Sequence, residues 1–286
     1  MGGSVRLGEI AQTILSCWPA PPVEKPNPAL PLRYLTIGGR QHLLMMRESL
    51  LSVCRTWPGL PRVTIVSDGS WGEEELRGVF EWWPTEIELW TSRMVVDASH
   101  ALGKGSLSDY ASASPYGLKL ASIIYAGRQS LPVLFVDADI LWFADPSSLL
   151  GDPVRWGAPR GIPESNCYQR RDMAMRYCPA VLDPPHVNGG ILAFRGEFLE
   201  KGLLEVMIAE AMTDPRDGSY EQTIIATAVH KGAGLFPEQL CLTEFEDRDL
   251  LRHRNMRKEG FCARHYVNWM RHLLYRDAFV ERMRGE

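Results

Sequence analysis

Apolar residues in this chain gather into short blocks, and the spacing inside the blocks alternates between two kinds. Residues 33–37 (RYLTI) and 62–66 (RVTIV) are nearly continuous apolar runs, as expected of strands buried on both faces. Between them, residues 41–55 place Leu43, Leu44, Met46, Leu50, Leu51 and Cys54 on one face of a helix. Ser67-Asp68-Gly69 is a turn sequence; residues 72–80 then predict a helix and 86–90 a strand. This β-α-β-α-β succession predicts an α/β fold, with a mostly parallel central sheet flanked by helices.

Residues 101–115 are rich in Gly, Ser and Ala and predict a long mobile loop, placed as a lid would be. A helix is expected over 116–128, then the most apolar strand of the chain, 133–140 (VLFVDADI), ending in a turn at 143–146. Residues 151–186 read as irregular and polar. Residues 187–194 (VNGGILAF) predict a strand, 197–212 and 220–231 two helices, and 233–245 a short hairpin or strand pair. The tail, 263–284, contains a further helix. At the other end, an amphipathic stretch (5–15) and a proline-rich linker (WPAPPVEKPNPALP) make residues 1–32 an appendage to a single domain over 33–286.

Composition changes this picture little. The 286 residues are 45% hydrophobic and 23% charged, ordinary for a globular protein, and the net charge of −4 argues against a nucleic-acid partner. Basic residues do cluster at 252–258 and 271–284, a face for phosphate groups or for peripheral contact with an anionic membrane. No basic n-region precedes a long apolar stretch, and no run approaches the roughly 18–20 apolar residues of a membrane span. The expected location is the cytoplasm, or a membrane surface facing it. Six cysteines are scattered without a C-x-x-C pair and read as reduced thiols; Cys167 and Cys178, which flank one polar segment, are the candidates for a pair.

The chemistry centres on Asp137-Ala138-Asp139. Two carboxylates at the end of a buried strand are costly unless something positive sits beside them. At i and i+2 of a strand both point to one side, and ligands of open α/β sheets bind beyond the carboxyl ends of the strands. Mn²⁺ or Mg²⁺ is the natural partner. The string alone means little: Asp247-Arg248-Asp249 repeats it in a charged stretch with no strand before it, and reads as a solvated turn or helix end. At two other strand ends, Thr36 through Arg40 (TIGGR) and Asp68 are placed to meet a nucleotide.

The stretch YGLKLASIIYAGRQSLPVLFVDADILWFADP resembles the core of GT-A glycosyltransferases, closest in pattern to glycogenin and its bacterial galactosyltransferase relatives. The resemblance runs over 33–275 as scattered short motifs. It implies a Rossmann-like GT-A domain with a small antiparallel element in its C-terminal half. Residues 33–150 would form the nucleotide-binding half and 151–286 the acceptor-binding half with the tail. It implies transfer of a sugar from a nucleotide-diphosphate donor, a UDP-sugar foremost, with retention. The acceptor side is open to a glycan, a lipid-linked sugar, a protein or a small molecule.

Residue by residue, the resemblance makes Asp137, Asp139 and His265 the metal group. Lys119, Asp137, Ala138, Asn188, Gly189 and Arg271 join the strand-end residues Thr36, Arg40 and Asp68 as the donor-binding set, and Glu221 and Gln222 become the pair beside the reacting sugar. Three positions depart from the pattern: Glu221 for Asp, Arg271 for Lys, and Asn268 for Gly. The acceptor is expected along 158–186, with Arg160, Glu164, Tyr168, Arg170, Arg171, Tyr177 and His186. Two rivals share the strand-end motif or the sheet. A haloacid-dehalogenase-type phosphatase would use Asp137 as nucleophile, but expects Thr or Val where Leu141 stands. A nucleotidyltransferase needs a richer glycine loop than Gly38-Gly39. A third reading is a sugar-nucleotide-binding module without activity.

Overall fold

The computed structural model describes residues 2–21, 29–103, 105–243 and 254–284; the second D-x-D, at 247–249, lies outside them. The strands are β1 (Arg33–Gly38), β2 (Arg62–Ser67), β3 (Glu88–Thr91), β4 (Val133–Val136), β5 (Ile140–Trp142), β6 (Arg160–Glu164), β7 (His186–Phe194), β8 (Gly234–Leu235), β9 (Cys241–Leu242) and β10 (Ala263–His265). Among the described residues they form a seven-stranded sheet of order β3-β2-β1-β4-β7-β6-β8 and a three-stranded sheet of order β5-β10-β9. β1 to β4 run parallel, and β7 lies antiparallel between β4 and β6. The expected mostly parallel sheet with flanking helices is present, and the small antiparallel element is the β5–β10 pair.

The main sheet is covered on both faces. Val133 and Phe135 of β4 join one core cluster, with helices Ser92–Ala101, Gly105–Ala113, Pro115–Gly127 and Gly218–Lys231. Leu134 and Val136 join the other, with helices Leu43–Thr56 and Glu73–Phe80. That two-sided burial is why β4 reads as an unbroken apolar run. A third cluster packs Ala11 and Leu15 of helix Gly2–Cys17 with Leu273 and Leu274 of helix Arg271–Met283.

Four expectations are corrected. The stretch 133–140 is not one strand. The main-sheet strand ends at Val136, and Asp137-Ala138-Asp139 carries the chain across to β5 in the second sheet. The apolar residues on both sides of the aspartates belong to different sheets. Second, the loop expected over 101–115 is mostly helical among the described residues. Ser92–Ala101 and Gly105–Ala113 are helices, because Leu107, Tyr110 and Ala111, at i, i+3 and i+4, supply a buried face among small residues. Helix Pro115–Gly127 meets this segment closely at Gly117, where a Cβ would lie 2.0 Å from the Tyr110 carbonyl oxygen. Third, residues 151–186 contain β6 and helix Arg171–Tyr177. Fourth, β8 and β9 do not pair with each other; each extends a different sheet.

Candidate active site

The topology brings distant segments to one edge. β1, β2 and β4 are parallel, so Gly38-Gly39, Asp68 and Asp137 all leave the sheet at their carboxyl ends. β7 is antiparallel to β4 with Val136 opposite Ile191, so its early residues Asn188 to Gly190 arrive at that same edge, and the Asp137 N–H donates to the Gly190 carbonyl at 2.8 Å. The second sheet completes the site. β5 and β10 pair antiparallel with Ile140 opposite His265, which sets the preceding Asp139 beside the imidazole; the Tyr266 N–H donates to the Asp139 carbonyl at 2.9 Å.

Ligand atoms of Asp137, Asp139 and His265 lie within 4.8 Å of one another. His265 Nε2 is 3.0 Å from Asp139 Oδ1 and 3.7 Å from Asp137 Oδ2. Arg271, opening helix Arg271–Met283, donates through Nε to Asp139 Oδ2 at 2.9 Å. Lys119 Nζ, from helix Pro115–Gly127, lies 3.1 Å from Asp137 Oδ1 and 3.3 Å from Glu221 Oε1. Glu221 and Gln222 stand in the first turns of helix Gly218–Lys231, whose N-cap is Asp217. Gln222 donates to Glu221 Oε2 at 3.0 Å and accepts from the Gly189 N–H at 3.3 Å.

Three carboxylates therefore face two fixed cations, Lys119 and Arg271, with His265 between. Burial pushes the Asp139 carboxyl up, but His265 and Arg271 outweigh it and hold it well below the usual range. Burial works against charge on His265 too, yet Asp139 raises it. Burial likewise opposes the Lys119 ammonium, and Asp137 and Glu221 overcome that and keep it charged. Glu221 ends raised, because burial and the like charge of Asp137 exceed its share of Lys119.

A cavity of about 570 Å³ opens over this group. Asp68, Lys119, Asp137, Ala138, Asp139, Asn188, Glu221, Gln222, His265 and Arg271 line it, together with Gly38 and Gly39. Three expected donor-binding residues lie off its wall. Thr36 is buried within β1, Gly189 donates its N–H to Gln222, and Arg40 is turned to Glu75. Of the expected acceptor residues, Tyr168 lines the cavity; Arg170 is paired with Asp172 and Asp217, and Glu164 with Asn188. Gln41, His42, Met45, Tyr116 and Ser219 also line it without having been singled out in the sequence. His42 was findable: it follows the strand-end Gly38-Gly39 by three residues, and its Nδ1 accepts from the Gly39 N–H at 3.2 Å.

Asn268 has φ of 50°, the single non-glycine residue with positive φ among the described residues. Asn tolerates this region better than most side chains, so its replacement of the pattern's Gly preserves the turn before Arg271. Two of the tail's arginines turn inward: Arg276 pairs with Asp277, and Arg282 donates to the Pro19 carbonyl at 2.6 Å. All six cysteines are free thiols. No helix among the described residues is long and apolar enough to cross a membrane.

No protein-family model matches the chain, and no curated protein matches it in sequence. Solved structures do. Mouse xyloside xylosyltransferase 1 in its apo form superposes with a TM-score of 0.54 at 12% identity, over 82% of this chain and 96% of that one. Galactosyltransferase LgtC, in complex with donor and acceptor sugar analogues, gives 0.53 at 13% identity, over 89% of this chain and 99% of that one. Apo glycosyltransferase GlyE from Streptococcus pneumoniae TIGR4 gives 0.51 at 11% identity, over 89% and 63%. The chain thus has the GT-A fold that these glycosyltransferases share, with an Asp-Asp-His group at the edge of its sheet.

Proposed function

We propose that this protein is a metal-dependent glycosyltransferase that takes a sugar from a nucleotide-diphosphate donor, a UDP-sugar foremost, and passes it to an acceptor with retention. The observation that carries this reading is the convergence of Asp137, Asp139 and His265 within 4.8 Å, beside Lys119 and Arg271, in the floor of a cavity of about 570 Å³. Two carboxylates and one imidazole fit Mn²⁺ or Mg²⁺, and a divalent ion there would take the place of the imidazole proton in balancing Asp137 and Asp139. Such an ion supplies Lewis-acid stabilisation of the departing diphosphate.

The chain's own residues do the rest. Arg271, half exposed at the cavity wall, offers the diphosphate a charge-assisted hydrogen bond. Lys119 fixes the positions of Asp137 and Glu221, and places positive charge near the floor. Glu221 and Gln222 present a carboxylate and an amide to the donor sugar, where positive charge grows on the anomeric carbon. Gly38, Gly39 and Asp68 border the part of the cavity suited to the nucleoside. Tyr116 and Tyr168 add aromatic faces on which acceptor sugars stack.

The test is nucleoside diphosphate release from a panel of nucleotide-diphosphate sugars with millimolar Mn²⁺. Asp139→Ala, folded by circular dichroism, loses at least about 100-fold of the metal-stimulated rate, since even an outer-shell loss costs about 10–100-fold. Metal-dependent turnover of p-nitrophenyl phosphate, with no release from any sugar nucleotide, points instead to phosphatase chemistry at Asp137 and overturns the proposal.

A further inference from the structure

Asn188 stands where the resemblance expects a donor-sugar contact, yet both ends of its amide are committed inside the protein. Its Oδ1 lies 2.7 Å from the Gly190 N–H. A backbone N–H only donates, so that atom is the oxygen. The same oxygen lies 3.1 Å from His265 Nδ1, and an oxygen already accepting there can only accept again. Nδ1 of His265 therefore carries a proton, and Nε2, which without a metal donates to Asp139 at 3.0 Å, is the nitrogen that gives up its proton to offer a lone pair to an ion.

The other end of the amide is held by Glu164. Asn188 Nδ2 donates to Glu164 Oε2 at 3.2 Å, and Glu164 is almost fully buried, at 2% exposure. The carboxylate is itself locked. Its Oε1 accepts from the Ser165 N–H at 2.9 Å, the Asn166 N–H at 3.3 Å and the Ser165 hydroxyl at 3.3 Å. It cannot rotate away without leaving these donors unmet. The whole row, Glu164–Asn188–His265, is buried on the side of the imidazole away from Asp139.

We infer that Glu164 is a positioning residue: it fixes the Asn188 amide so that its oxygen faces His265, holding the proton on Nδ1 and making Nε2, on the Asp139 side, the nitrogen offered to a metal ion. The inference rests on the metal role of His265 proposed above. It takes Glu164 out of the acceptor set suggested by the sequence and gives it a role at the metal side.

A reciprocal exchange tests it. In Glu164→Gln the three turn donors retain the amide oxygen, so the new NH₂ group faces the NH₂ of Asn188. Two donors then oppose each other, and the Asn188 amide has to turn or withdraw. In the double variant E164Q/N188D, the NH₂ introduced at position 164 donates to one oxygen of the carboxylate introduced at position 188. The other carboxylate oxygen again accepts from Gly190 and His265. Two readouts separate the inference from the metal reading. The first is the His265 Nδ1–H resonance of the metal-free protein with ¹⁵N-labelled histidine, assigned by its loss in His265→Gln. The second is Mn²⁺ affinity from the electron paramagnetic resonance of the free ion, without any donor.

The expected result is a slowly exchanging Nδ1–H in the wild type, lost in E164Q with a fall in Mn²⁺ affinity of about 10–100-fold, and both recovered in the double variant. An E164Q protein with the wild-type resonance and affinity overturns the inference. If E164Q does not fold, the double variant decides alone: recovery of both supports the inference, and loss of both overturns it. A wild type that shows the protected proton but binds no Mn²⁺ sinks the metal reading and leaves the amide orientation standing.

Discussion

Gly190→Ala is the sharpest steric probe of the site. Gly190 sits in fully buried β7, outside the positive-φ region, so the cost of a methyl group there is steric. Its Cβ would lie 2.5 Å from His265 Cε1, 2.6 Å from His265 Nδ1 and 2.8 Å from Asn188 Oδ1. Ordinary contact begins near 3.4 Å, so the imidazole has to retreat by about 0.9 Å (3.4 − 2.5). Overpacking of this kind costs about 1–3 kcal/mol of stability. The functional cost is larger, because metal–ligand distances tolerate only about 0.2 Å. Mn²⁺ affinity should fall by at least about 10-fold, with Asp137 and Asp139 still in place. Urea denaturation reads the first effect and Mn²⁺ titration the second. Gly189→Ala is the control: its Cβ meets only side-chain ends, Ile225 at 3.0 Å and Gln222 at 3.3 Å, and a milder loss is expected. A G190A protein that binds Mn²⁺ like the wild type would refute the placement of His265 among the metal ligands.

Other consequences follow from charge. Lys119→Met leaves Glu221, at 1% side-chain exposure, without its cation, and should cost about 3–5 kcal/mol near neutral pH. The Glu221 carboxyl is already raised, and a raised carboxyl loses stability as pH rises; the K119M deficit in urea denaturation should therefore be smaller at pH 5 than at pH 8, and a pH-independent deficit contradicts the pairing. Asp217→Ala removes the N-cap of the helix bearing Glu221, where Asp217 accepts from the Ser219 N–H at 2.9 Å, and should cost about 1 kcal/mol, while Asp217→Asn keeps the cap, loses only the charge facing Arg170, and should cost less. Ser219 and then Arg170 hold the Asp217 carboxyl low, so its charge contributes fully above about pH 4 and is lost as pH falls below it; thermal melts of the wild type and Asp217→Asn, apart at pH 7, should converge at pH 3, while Asp217→Ala stays below both.

Strands β1 and β2 and the helix Gly218–Lys231 were legible because burial on two faces, or on one helical stripe, writes directly into the order of apolar residues. The Asp137 segment was legible for its carboxylates and illegible for its geometry. Val136 and Ile140 look alike in sequence, and nothing local distinguishes strands of two different sheets. Helices Ser92–Ala101 and Gly105–Ala113 were missed because Ser, Ala and Gly hide helices whose stability comes from close tertiary approach, as at Gly117. Glu164 was visible as an acid in a polar stretch, but its contact with Asn188 depends on the β6–β7 register and its irregularity at Gly161 and Ile162, which only the folded chain has. Asn268 was the reverse case, a departure from pattern that its backbone angle explains.

Everything proposed for this site stands on one event, the joint binding of a metal ion and a nucleotide-diphosphate sugar at Asp137, Asp139 and His265. A thermal-shift screen of such sugars with and without Mn²⁺ measures it directly. At about 100 times its dissociation constant a donor adds about 2.7 kcal/mol, on the order of 5 °C in melting temperature. The predicted result is a shift of that size with a UDP-sugar only when Mn²⁺ is present, abolished by Asp139→Ala. The contradicting result is no metal-dependent shift with any nucleotide sugar, or an equal shift in Asp139→Ala.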